Sequence, residues 1–553
     1  MVYSYLKYNI YTMKQNNEMK QQLIKYMAAL CDYHRPSHKE IAVCNYLLKW
    51  FKDLQKKDKR IKIETFQAVK TDKNEGFDII VDIPATKGYE NKPKTMLQSH
   101  MDMVWVTREG HNNDKKVEWY IKNNQMKAKY SSLGSDDGTG IAIMQYILKH
   151  SKTPHGPLRI LLTTDEECDM TGASKLPAKY SKGCKYCFNI DGEVSGEGFI
   201  MSAGVGYSKG LLEVKTENKT SKYKNPVYIK LTGAKGGHSG VEISRNVKNI
   251  KKDKGGANGL WWINHILLTL LKNKVDYKLG IISHGEVTID KNEVHTLDNK
   301  MNSIPNNGDA VIFLKDKKDL VKVNKIVKDT LSVLHKNHPQ EKAVNIQVLK
   351  QMPKYFNTLK FINNKDRDRL LKLINGMPQG IFAMSDTPDV AKATSIVVLN
   401  FKFNKTKNFI DYTVIATPRA ADQKTLDKLK NQVRQSFKNV GMKEQKSNGI
   451  NFKGKNVFII GQVAQPWSVN PNSKLCKMTE KAWNKRNAKK YEFKCTHGGL
   501  ECAYFFKANP QLEIISVGPT IINAHSVDET LHLDTFAPAA QMIIDVLESI
   551  AKQ

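Results

Sequence analysis

At 553 residues, 40% of them hydrophobic, the chain is long enough for two or more domains and has the apolar content for real cores. It contains no apolar run of the length that spans a membrane, and its eight cysteines at irregular spacing argue for reduced thiols over a disulfide framework. The formal net charge of +32 would suit an anionic partner, but the lysines are scattered among asparagines and acids, with no Arg-rich arm, zinc-finger spacing or aromatic RNA-binding signature. Solvated lysine faces are therefore expected, and nucleic acid is not expected as a partner.

The start, MVYSYLKYNIYTMKQ, lacks the apolar block and cleavage site of a signal peptide, so a cytoplasmic protein with an irregular first stretch is expected. Residues 18–54 read as two helices. Leu23, Met27 and Leu30 share a face, and His34, Arg35 and Pro36 break the pattern. Ser37 with Glu40 three residues on then makes a capping box for a helix carrying Ile41, Cys44, Leu48 and Phe51. Strands follow at 61–66 and 77–83, then a polar turn through 87–94. The next strand, from Thr95, ends in His100-Met-Asp102. The two-residue period of a strand puts both side chains on one face, where Asp102 orients the ring of a metal-binding His100.

SLGSDDGTG at 132–140 leads into an apolar helix over 141–148. Glycines before a helix suit a phosphate, but Asp136 and Asp137 repel one and no lysine follows, so the turn suits a cation. Leu158, Ile160, Leu161 and Leu162 then form a buried-looking strand that runs into Asp165, Glu166 and Glu167. Three like charges at one strand end need a cation, and adjacent carboxylates divide the work, one ligating metal while the other moves a proton. A further strand at 186–190 ends in Asp191-Gly-Glu193. Four element ends thus carry His100, Asp136, Glu167 and Asp191, donors that zinc or manganese accepts, and ligands from several strand ends converge beyond an α/β sheet. Cys184 and Cys187 form a CxxC with no second pair to complete a zinc knuckle.

In that order, LQSHMDMV, SLGSDDGTGIA, TTDEE and NIDGE resemble the di-zinc metallopeptidase family of aminoacylases, carboxypeptidases and dipeptidases, most closely its aminoacyl-histidine (Xaa-His) dipeptidase branch. HRPSHKE, PATKGYENKP, GGHSGVEI, THGGLECAYF and ISVGPTIINAHSVDE fit the same branch. The resemblance implies an α/β fold, a zinc-peptidase-like catalytic domain with a mixed central sheet, interrupted by an inserted α+β lid domain. The expected boundaries are 1–203 and 464–553 for the catalytic domain and 204–463 for the lid. Within the lid, 308–334 and 411–437 each read as strand, polar turn and amphipathic helix, as two related halves would. The basic stretches 215–225 and 246–256 are expected as solvated loops.

The resemblance also implies two Zn2+ ions, with Mn2+ or Co2+ as substitutes. His100, Asp136 and Asp191 would hold one, and Asp136, Glu167 and His525 the other, with Asp136 bridging. Glu166 would be the general base acting on a shared metal-bound hydroxide, Asp102 the orienter of His100, and His238 the group that stabilises the oxyanion. Arg419 is the candidate for gripping the substrate carboxylate in a bidentate fork, with Asn302 in support. Two departures stand out: Cys168-Asp169 follows the acidic pair where the family has x-Gly, and Asn306 replaces the arginine usual in the branch. The implied function is hydrolysis of short unblocked dipeptides, of Xaa-His type or broad specificity, by a monomer or homodimer. An N-acyl amino acid hydrolase or carboxypeptidase is the alternative within the family. An inactive metal-binding protein with a basic, nucleic-acid-holding surface is the alternative outside it.

Overall fold

The strands that lead into His100 and into the acidic triplet are neighbours in one sheet. The computed structural model describes residues 17–68, 76–108, 111, 116–168, 170–240, 242–296, 302–384, 391–446, 453–496 and 498–553. The expected irregular start and Asp169 lie outside the described residues. The sheet runs in the order Lys62–Phe66, Asp78–Ile83, Leu158–Thr163, Lys94–His100, Cys184–Asn189, Glu513–Ser516, Glu197–Ser202 and Trp467–Ser468. Leu158–Thr163, Lys94–His100, Cys184–Asn189 and Glu513–Ser516 are mutually parallel, and antiparallel strands flank them on both sides. This is the mixed sheet expected from the sequence.

Near-continuous burial explains the parallel centre: LRILLT and CKYCFN are covered on both faces, as central parallel strands must be. The helices Ser135–His150 and Leu533–Ala551 supply much of that cover, the latter burying Phe536, Ala540, Ile543, Leu547 and Ile550 at helical spacing. Because the central strands are parallel, they end at one edge, and Asp102, Glu166, Glu167 and Asp191 all follow strand ends at that edge.

The chain divides into two compact units. Met1–Met201, Trp467–Cys495 and Leu500–Gln553 form the first, and Ser202–Pro466 with Thr496–Gly499 forms the second. The second unit is built on an antiparallel sheet whose spine is the 14-residue strand Gly204–Glu217, paired with Phe409–Ala416 and Val457–Ala464. The helices Gly259–Lys272, Asp319–Asn337, Asn364–Gly376 and Gln423–Lys438 pack with this sheet, giving an α+β architecture. The strand Gly308–Leu314 leads to helix Asp319–Asn337, and Phe409–Ala416 leads to Gln423–Lys438, each helix burying one face. Among the described residues no helix is long and apolar enough to cross a membrane.

Three local expectations change. The helix read from Ile141 begins at Ser135, with Asp136 (φ −85°, ψ 109°) and Asp137 (φ −109°, ψ 41°) outside helical values, so its first turn opens to display carboxylates. The capping box at Ser37 and Glu40 does not form. Glu40 itself occupies the N-cap of Ile41–Lys57 without capping it, because both side chains bond to distant turns instead. The stretch 215–225 is not wholly a loop, since it begins inside Gly204–Glu217 and ends as Asn225–Thr232 starts.

Candidate metal centre

Asp136 sits between two histidines. Nε2 of His100 is 3.2 Å from Asp136 Oδ1 and 3.5 Å from Asp191 Oδ1. On the other side, Nε2 of His525 is 3.0 Å from Asp136 Oδ2 and 2.8 Å from Glu167 Oε2. The five residues that the resemblance implies as ligands therefore lie near one another, with Asp136 beside both histidines. Asp137 also comes close: His100, Asp137 and Asp191 present donor atoms within 4.8 Å of one another, as do His100, Glu166 and Glu167. The Asp137 carboxylate is already engaged, accepting from Ser99 Oγ (2.5 Å) and from the Gly140 N–H (3.0 Å).

Buried carboxylates hold the acidic turn. Asp78 Oδ1 accepts from the Thr164 N–H (3.0 Å), Glu40 Oε1 from the Asp165 N–H (3.0 Å), and Asp102 Oδ1 and Oδ2 from the N–H groups of Glu166 and Glu167 (3.1 Å each). Four successive amides just past a strand end, which could not be satisfied by the sheet ladder, thus find acceptors on other elements. Asp102 also lies 3.3 Å from His100 Nδ1. It lies beyond the strand, which ends at His100, and it fixes both the ring and the glutamate turn.

The turn that carries Asp136 is held by Glu529. Its carboxylate accepts from the N–H groups of Leu133 (2.8 Å), Gly134 (2.9 Å), Ser135 (2.7 Å) and Asp136 (3.3 Å) and from Ser135 Oγ (2.5 Å). Below the sheet edge, the buried Glu501 accepts from Gln98 Nε2 (2.5 Å) and Thr163 Oγ1 (2.7 Å). Sequence reasoning missed Glu529, Glu501, Asp78 and the role of Glu40. For Asp78 and Glu501 the available signal was an acid inside an apolar or Gly-rich run, and for Glu529 and Glu40, in polar stretches, there was none.

The donor chemistry fits divalent cations. Oxygen and imidazole ligands converge from several elements, and Glu167 Oε1 is buried with no hydrogen-bond partner. Protonation reflects the same crowding. Burial alone would keep His100 neutral, but its hydrogen bonds to Asp102, Asp136 and Asp191 hold it well above the ordinary histidine range. Hydrogen bonds to Asp136 and Glu167 push His525 up to about 11. Burial raises Glu167 to about 7 and Asp191 to about 6, and it carries Glu166 well above the carboxylate range. Burial raises Asp136 as well, but the hydrogen bonds from His100 and His525 outweigh it and hold the carboxyl well below its ordinary value.

His238, Arg419 and Asn302 belong to the second unit and meet there. Arg419 Nη2 is 3.3 Å from His238 Nε2, Arg419 Nε donates to Ser239 Oγ (3.3 Å), and the Ser239 N–H donates to the Asn302 carbonyl (2.7 Å). Burial and then the Arg419 charge lower His238 to about 4. Cys184 and Cys187 are buried free thiols and belong to none of the candidate metal groups among the described residues.

A family model described as peptidase family M20/M25/M40 matches residues 96–549. The cytosol non-specific dipeptidase of Escherichia coli (strain K12) is 26% identical over 538 residues, covering 96% of this chain and 98% of the relative. Among solved structures, the aminoacylhistidine dipeptidase of Vibrio alginolyticus is similar with a TM-score of 0.75 at 22% identity, covering 96% of each chain. The aminopeptidase PepT of Bacillus cereus is similar with a TM-score of 0.56 at 13% identity, covering 96% of this chain and 99% of that one. At these identities the two structures speak for the fold.

Proposed function

The chain belongs to peptidase family M20/M25/M40, and from that premise we propose that it is a cytosolic, metal-dependent dipeptidase acting on short unblocked dipeptides. The observation that carries this is the Asp136 carboxylate between His100 and His525, with Asp191 and Glu167 on its two sides. The near full-length similarity to a non-specific dipeptidase favours broad specificity over an Xaa-His preference. In this reading residues 1–203 and 464–553 are the catalytic domain, and 204–463 a lid of two related halves.

His100, Asp136 and Asp191 would hold one ion, and Asp136, Glu167 and His525 the other. Two Zn2+ ions, or Mn2+ or Co2+ in their place, would supply Lewis acidity there and would lower the pKa of a water held between these residues. Glu166 takes the proton from the attacking water and delivers it to the leaving amine. Asp102 fixes the His100 ring and, through the amides of Glu166 and Glu167, the base itself. His238, neutral at pH 7, serves as an oxyanion donor, and Arg419 with Asn302 as the grip on the substrate carboxylate.

The test is hydrolysis of Ala-His, β-Ala-His, Gly-Leu, Ala-Ala-Ala and N-acetyl-Leu by metal-loaded protein, with and without chelator. Chelator-sensitive cleavage confined to the dipeptides is the expected result. Cleavage of N-acetyl-Leu alone would make the protein an acyl amino acid hydrolase, and no cleavage with two metals bound would refute the enzymatic reading.

A further inference from the structure

The segment Arg35–Glu40, whose Ser37 and Glu40 fit a capping box in sequence, contacts three of the turns that carry the candidate metal ligands and base. Arg35 is 1% exposed. Its Nη1 donates to the carbonyls of Met101 (2.7 Å) and Asp102 (2.8 Å), and its Nη2 to that of Gly134, so one guanidinium ties the turn after His100 to the turn before Asp136. The fit is close: a Cβ on Gly134 would stand 2.7 Å from Nη2, and one on Gly138 2.9 Å, so both glycines make room for the guanidinium. Ser37 Oγ donates to Asp102 Oδ2 (2.8 Å). Asp165, in the acidic turn, accepts the His38 N–H (2.8 Å) and returns its own N–H to Glu40 Oε1 (3.0 Å).

We infer that Arg35–Glu40 is a positioning strap: Arg35 sets the spacing between the His100 and Asp136 turns, and Glu40 sets the turn that bears Glu166 and Glu167. This rests on the metal-site reading above. A planar fork with five donors suits carbonyls from two separate turns, which a single ammonium cannot span in the same way. Glu40 acts as an acceptor, so an uncharged acceptor of the same shape preserves its role. None of these residues touches a reacting atom in this scheme; they act through the ligands.

Arg35→Lys, Glu40→Ala and Glu40→Gln in the full chain test the strap, read by Zn2+ affinity against a chelating dye, by kcat and KM on a dipeptide the parent cleaves, and by melting of the metal-free protein. The expected result is folded Arg35→Lys and Glu40→Ala proteins that hold Zn2+ about tenfold to a hundredfold more weakly. Their kcat falls by a similar factor while KM stays within about threefold. Glu40→Gln stays close to the parent in both. If Arg35→Lys fails to fold, the contrast between Glu40→Ala and Glu40→Gln decides. Variants that melt lower but bind Zn2+ and turn over like the parent would overturn the strap, reducing it to a packing element. A parent that binds Zn2+ but cleaves no dipeptide would sink the dipeptidase reading alone, since the affinity comparison still judges the strap. A parent that binds no Zn2+ would sink both.

Discussion

Asp136 Oδ2 and His525 Nε2, 389 residues apart in the chain, stand 3.0 Å from one another. In the metal-free protein a proton holds that contact, since His525 is pushed up to about 11 and His100 is held well above its usual range. A cation must displace those protons. Loading two divalent ions at pH 8 is therefore expected to release at least the roughly two protons held by His100 and His525, measurable by calorimetric titration in buffers of different ionisation enthalpy. Release near zero would contradict the assignment of His100 and His525 as ligands.

The same shift predicts how stability follows pH. His525 has its folded value raised from 6.5 to about 11, so its contribution is complete below about 6.5 and is lost as pH rises toward 11. The raised carboxyls of Glu166, Glu167 and Asp191 act in the same direction, because each favours the protonated form in the fold. Chelated protein is expected to melt progressively lower from pH 6.5 to 9, while metal-loaded protein holds its melting temperature over that window. A chelated protein that instead gains stability with rising pH would argue against this proton network.

Glu166→Ala is expected to lower kcat by about 10²- to 10⁴-fold, the usual contribution of general acid–base catalysis, while both metals stay bound, because Glu166 is not among the five assigned ligands. Metal content and turnover measured on the same sample separate the roles. A variant that keeps more than about a tenth of the parental rate would remove Glu166 from the mechanism.

Three of the candidate ligands were legible from local signatures, His100 at the end of the strand KTMLQSH, Glu167 after LRILLT and Asp191 after CKYCFN, whereas His525 was reached only through the family resemblance. What holds them was not legible. Glu529 reaches back to the turn at 133–136, and Asp78 and Glu40 catch amides at 164 and 165, contacts that leave no period or motif in the sequence. Ser37 and Glu40 show the failure most directly. Their spacing satisfies a local cap, but the fold offers Asp102 and the Asp165 amide as partners, and the tertiary contacts win.

Glu529 should be the most stability-sensitive of these hidden residues. Glu529→Ala strips the acceptor from four buried amides and one hydroxyl, and each donor left unpaired costs about 1–3 kcal/mol. Even with partial relaxation, a loss of roughly 3 kcal/mol or more is expected, seen as a lower melting temperature together with weakened metal binding through Asp136. Glu529→Gln, which turns an amide NH2 toward donors on one side, should fall between the variant and the parent. A Glu529→Ala protein as stable as the parent would mean that water replaces the carboxylate there.

Arg419 and His238 give a prediction read first by titration and then by turnover. Burial is the larger cause of the low His238 value of about 4, and the Arg419 charge 3.3 Å away is the second. Arg419→Met removes the charge while keeping the side chain apolar and of similar length, so the His238 value should rise but stay below 6.5, as followed by NMR titration of the imidazole. At pH 7 His238 is then still largely neutral and keeps its capacity to donate. A raised KM in the same variant therefore reports the lost carboxylate fork, whereas a fall in kcat at unchanged KM would show that Arg419 acts through His238. An unmoved His238 titration would show that Arg419 does not govern its protonation.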